Sequence, residues 1–117
     1  MDLNVILELQ AAGVDTEGAL RRFGGNSEMY ERFLKKFLTD RTFSQVTEAF
    51  AQGDREAALR YIHTLKGVTA NLGMDKLFAI SAKMVDQIRA DHYEEAAGDY
   101  PGLKDAYDEI CGILIRG

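Results

Sequence analysis

The chain has 117 residues, 46% of them hydrophobic and 28% charged, with a formal net charge of −5 at pH 7. That is enough apolar material for a single core without metal or disulfide staples, and the acidic balance argues against nucleic acid or an anionic membrane as a bulk partner. The lone cysteine, Cys111, excludes an intrachain disulfide and a cysteine-built zinc site, which fits a reducing cytoplasm.

The N-terminal MDLNVILELQ has no basic lead, and Glu8 breaks its apolar run, so no signal peptide is expected; nor does any stretch approach the length of a membrane span. Glycine and Asn/Asp punctuation falls at helix-sized intervals with only one proline, Pro101, and this predicts an all-α chain. A short helix is expected over residues 2–12. Gly13-Val14-Asp15 ends it, and Asp15 or Thr16 caps a second short helix through Phe23. Gly24-Gly25 stops that one, and Asn26 or Ser27 caps a long helix reaching Gln52, along which Met29, Tyr30, Phe33, Phe37, Val46 and Phe50 recur at helical spacing. Gly53 closes it and Asp54 caps the next, which runs until Gly73 supplies a left-handed stop. Leu77, Ile80, Ser81, Met84 and Ile88 form the stripe of a further helix to Ala90. DHYEEAAGDYPG reads as a polar link, and a last helix covers Leu103 to Ile115. The expected architecture is an antiparallel four-helix bundle with short N-terminal capping helices, one domain over residues 1–117 and a monomer. The methionine start and complete bundle favour a free-standing protein.

One stretch does not read as plain structure. In YIHTLKGVTANLG, residues 61–73, the ~100° turn per residue puts Ala58, Ile62, Leu65, Thr69 and Leu72 on one face, which must be the core face. His63 then points outward. Gly67, one turn on, sits mid-helix at a cost of about 1 kcal/mol relative to alanine and removes the side chain that would shelter one flank of the imidazole. Lys66 adds a movable positive charge beside it, and Leu59 and Ala70 make the surround low and apolar.

HTLKGVTANLG resembles the motif of histidine-containing phosphotransfer (HPt) domains, the carriers of multistep phosphorelays. The pattern H-x-L-K-G with a further glycine ten residues after the histidine matches at His63, Leu65, Lys66, Gly67 and Gly73. Upstream, GVDTEGALRRFGGNSEMYERFLKKFL is similar to the family's opening segment and GDREAALRYIHTLKG to its second bundle helix, so the resemblance spans roughly residues 13–90. Val85 departs from it. Family members often carry Gln or Glu about 22 residues after the histidine to orient the ring, and here either Asp86, Lys83 or a water is left to do so or the ring is left freer. Arg89 is another cation of that helix.

The resemblance implies that His63 takes a phosphoryl group from a receiver-domain aspartate and passes it to another, with Lys66 stabilising phosphoryl charge and Gly67 giving access. Leu59, Arg60, Ala70 and Met74 would form the docking rim. The partners implied are response-regulator receiver domains and a hybrid histidine kinase. No cofactor of its own is implied; Mg²⁺ is expected on the partner receiver. A neutral imidazole is a nucleophile that needs no separate base, and phosphoryl transfer depends on in-line positioning and charge neutralisation, so no second catalytic group is required here. An ATP-using kinase lacks its phosphate loops in this sequence, and a metalloenzyme lacks its ligands, since only His63 and His92 occur. The rival that survives is a helical adaptor that binds receiver-like proteins without accepting phosphate.

Overall fold

Side-chain caps set where four of the helices begin. Asp2, Asp15, Asn26 and Asp54 accept backbone N–H bonds from Asn4 at 2.7 Å, Gly18 at 3.0 Å, Met29 at 3.0 Å and Ala57 at 3.1 Å, each satisfying a donor that the first turn leaves free. Both alternatives left by the sequence are thereby decided, for Asp15 and for Asn26. The computed structural model describes residues 1–117 as seven helices without a strand: α1 (Leu3–Ala11), α2 (Thr16–Arg22), α3 (Ser27–Phe37), α4 (Thr42–Ala51), α5 (Arg55–Asn71), α6 (Asp75–Arg89) and α7 (Tyr93–Arg116).

The region expected to form one helix from residue 27 to Gln52 is two, α3 and α4, separated at Leu38–Arg41. Local polar bonds make the break: Thr39 donates its hydroxyl to the Lys36 carbonyl at 3.0 Å, and the Asp40 carboxylate accepts from the Thr42 N–H at 2.7 Å. These bonds offer the backbone a partner other than the helical ladder. The expected polar link at residues 91–102 is the first half of α7, a 24-residue helix that carries Pro101 inside it. Asp91, with φ at 64°, makes the turn into it. Proline costs a hydrogen bond within a helix, but here burial outweighs it. Tyr93 and Ala96 are buried, and Tyr93 and Tyr100 stack on Phe50 and Phe43 of α4 with centroids 5.5 and 6.0 Å apart.

Helix α5 packs against α4 on one side and α6 on the other, α7 lies against α6, and α1 and α3 close on α7. One cluster of 22 buried side chains runs through all of them, with Leu34, Ile62, Leu77, Met84 and Ile110 at its centre. The N-terminal segment is fastened to the turn between α5 and α6. Asp15 N–H donates to the Gly73 carbonyl at 2.7 Å and Lys76 N–H to the Gly13 carbonyl at 3.2 Å. Gly73 has φ at +74°, and a Cβ there would stand 2.6 Å from the Asp15 carbonyl oxygen and 2.9 Å from the Ala19 Cβ. Only glycine permits that turn and that approach.

Candidate functional site

Helix α5 presents two opposed faces. Ala58, Ile62, Leu65, Thr69 and Leu72 are all 3% exposed or less, so the inner face is as the periodicity places it. His63 is exposed on the outer face, and its ring takes part in none of the side-chain hydrogen bonds or ion pairs. An ideal Cβ at Gly67 has no atom within 4 Å, so the space one turn beyond the imidazole is open. Close helix packing therefore does not account for that glycine. Lys66 is half-buried and joins no ion pair, which leaves its ammonium free to swing beside the ring. His63 lines none of the surface grooves; it stands on a convex helix face.

The expected rim divides. Ala70 and Arg60 are exposed and Leu59 is half-buried, and the Arg60 guanidinium lies over the Tyr61 ring at 5.0 Å. Met74 does not belong with them: it is 0% exposed. Helix α5 ends at Asn71, and the left-handed Gly73 reverses the chain, so a position that the helical wheel places outward is turned into the core. On α6, Val85 is fully buried and brings no polar group toward the ring. Lys83 is engaged on the opposite flank, paired with Asp99 of α7 at 3.2 Å, where Gln87 also donates to the same carboxylate at 3.1 Å. Lys83 is therefore not available to His63. Asp86 and Arg89 are exposed and unpaired. His92 opens α7 and pairs with Glu95 at 3.7 Å, and it is no companion of His63.

Two contributors come from parts of the chain the motif does not reach. Arg22 of α2 is exposed and donates to the Ala70 carbonyl at 2.9 Å, over the last turn of α5. Phe33 of α3 is 39% exposed, lies under the Lys36 ammonium at 5.5 Å, and borders a groove of about 280 Å³ whose α5 side is Val68, Asn71 and Leu72. Neither had a local sequence signal, because each is brought to α5 by tertiary packing across tens of residues. The buried Tyr30 hydroxyl donates to the Leu72 carbonyl at 2.9 Å, so α2 and α3 together cap the end of the helix that carries His63.

The arrangement offers one unprotected nucleophile, one mobile cation and an open approach. It has no enclosed substrate cavity beside His63, and nowhere do three or more His, Cys, Asp or Glu side chains come together as a ligand set. No helix is long and apolar enough to cross a membrane. A family model described as Hpt domain matches residues 28–112. Comparison with curated proteins and with solved structures returned no match.

Proposed function

The chain belongs to the Hpt domain family, whose members take part in two-component phosphotransfer, and from that premise we propose that it carries a phosphoryl group on His63 between aspartates of receiver domains. In this reading the whole chain is one domain, α4 to α7 are its antiparallel bundle, and α1 to α3 are the cap. The observation that carries the proposal is the exposed His63 ring beside the open space at Gly67.

A lone pair of the neutral imidazole attacks the phosphorus of an aspartyl phosphate held in the partner's acidic pocket. The N–P bond forms as the P–O bond to the aspartate breaks, the carboxylate leaves with the electron pair, and the ring's remaining N–H proton is free to exchange with solvent. The reverse steps deliver the group to a second aspartate. A convex face suits this task, because the receiver brings the concave pocket and its Mg²⁺, while Lys66 neutralises part of the charge on the moving oxygens. With Val85 buried in the core, the ring has no side-chain hydrogen-bond partner on α6 to fix its tautomer, and its alignment falls to the partner or to water. The rim that meets the receiver is Leu59, Arg60 and Ala70. Such a carrier works in the cytoplasm alongside its receivers and a hybrid histidine kinase.

The test is transfer itself. Receiver domains phosphorylated with a small-molecule phosphodonor and Mg²⁺ are mixed with the protein, and a base-stable, acid-labile adduct is expected on the wild type and absent from His63→Gln. If none of a full set of receivers from the source organism labels the wild type, the chain is a helical adaptor and the carrier reading fails.

A further inference from the structure

Of the fourteen lysines and arginines of this acidic protein, four join ion pairs and ten do not. Arg55, Lys83, Lys104 and Arg116 are neutralised in ion pairs that involve carboxylates of α1, α7 and the turn before α7. Among the ten, Arg22, Arg60 and Lys66 lie on or over the outer surface of α5. The elements differ in the same sense. Helix α5 carries three cations against one carboxylate, whereas α7 carries two against six. The helix that carries His63 is thus net positive, while α7 carries a net negative charge.

Arg22 differs from the other two in how it is held. A guanidinium has five N–H donors, and one of them is spent on the Ala70 carbonyl at 2.9 Å. The bond fixes the head group while the side chain stays exposed, leaving the other donors for an acceptor that arrives from outside. Ala70 lies on the same face as His63, two turns along, or about 10 Å. Arg60 is one turn to the other side, so Arg60, Lys66 and Arg22 span about 15 Å of helix with the imidazole among them. Arg22 also lies outside residues 28–112, the segment that the family model matches.

We propose that Arg22 is a docking residue, the fixed end of a three-cation row that captures carboxylates on the acidic surface around a receiver's phospho-aspartate. This deepens the carrier reading and rests on it. The row favours encounter with α5 leading, and the acidic α7 face disfavours the opposite orientation. A preorganised guanidinium gains more per contact than a free one, because its ordering is already achieved within the protein.

The experiment measures the second-order rate of phosphoryl transfer from phosphorylated receivers over a salt series. Arg22→Gln should slow transfer by about 3- to 10-fold at low ionic strength and converge on the wild type at high salt, where the Debye length is only about 3 Å. Arg22→Lys should retain most of the rate. In the double variant Arg22→Gln/Asn71→Lys, charge is returned to the same end of α5 without the bond to Ala70, and the salt-sensitive part of the rate should return with it. Because Arg22→Gln also removes a helix-end contact, Asn71→Glu is a second test that leaves Arg22 untouched, and it should produce the same salt-sensitive slowing. A wild-type rate and salt slope in Arg22→Gln, or a loss equal at every salt concentration, would overturn the docking role. Failure of every receiver to label the wild type on His63 is a separate result, and it overturns the carrier reading and this inference together.

Discussion

The two glycines of the motif, six positions apart, do opposite things. Gly67 has helical backbone and empty space where a Cβ would go, while Gly73 has φ at +74° and backbone at 2.6 Å. Gly67→Ala is therefore expected to stabilise the fold by about 0.5–1 kcal/mol through helix propensity, and Gly67→Gln to leave it intact while obstructing transfer. Gly73→Ala must displace the Asp15 backbone and adopt a disfavoured φ, and its expected cost is about 2 kcal/mol or more. Urea unfolding of the pair decides the matter, since equal effects of one sign would mean that Gly67 is structural after all. Ser81 makes a second case at this scale. Its hydroxyl is fully buried and has no partner, and an unpaired buried hydroxyl costs about 1–3 kcal/mol. Ser81→Ala should therefore be neutral or stabilising, and a loss of more than about 1 kcal/mol would show that the hydroxyl has a partner, such as a bound water.

The ends of α5 show what one element requires from the others. Tyr30 donates to the Leu72 carbonyl, and desolvation by burial pushes its phenol up to about 12, with Arg22 pulling in the opposite direction. A folded-state pKa raised above the ordinary 10 means that the neutral phenol stabilises the fold below pH 10, and that this contribution is lost as pH rises toward 12. Tyr30→Phe should thus cost about 1–2 kcal/mol at pH 7 by leaving a buried carbonyl unpaired, and its deficit relative to the wild type should shrink between pH 10 and 12. A deficit that stays constant over that range would mean the phenol does not titrate as argued. The elements were legible from the sequence where one local rule acted alone. Asp54, the apolar stripe of α5 and Gly73 bound that helix, and His63 and Gly67 fall on its outer face for the same reason. The break at Leu38–Arg41 was hidden because Phe37 and Phe43 keep apolar side chains coming on either side of it, so periodicity reads through a turn built by Thr39 and Asp40. Gly98, Pro101 and Gly102 suggested a link where stacking of Tyr93 and Tyr100 on α4 imposes helix. Met74 failed because the wheel was carried past a left-handed residue, and Arg22 was missed because its partner carbonyl is 48 positions away.

At the scale of the molecule, the family-matched segment begins at residue 28, but the fold does not. Leu9, Ala12, Val14 and Ala19 of the preceding segment are 4% exposed or less and belong to the main core cluster. Two backbone hydrogen bonds and the Arg22 side chain tie the same segment to the last turn of α5 and the start of α6. Burying a Leu and a Val contributes about 1.5–3 kcal/mol each before the entropy of ordering the segment is subtracted. Against a total stability on the order of 5–15 kcal/mol, even the remainder is a large share. Removal of residues 1–23 is therefore expected to lower the urea midpoint clearly, to reduce the m-value because less surface is exposed on unfolding, and to speed amide exchange at Gly73 and Met74 more than in the middle of α6. An unchanged midpoint and uniform exchange would mean that residues 1–23 only rest on the remaining helices. The truncated chain would still carry His63 but would lack the Arg22 cation, so its transfer should also lose salt sensitivity in proportion, linking the stability that residues 1–23 contribute to the charge that they supply.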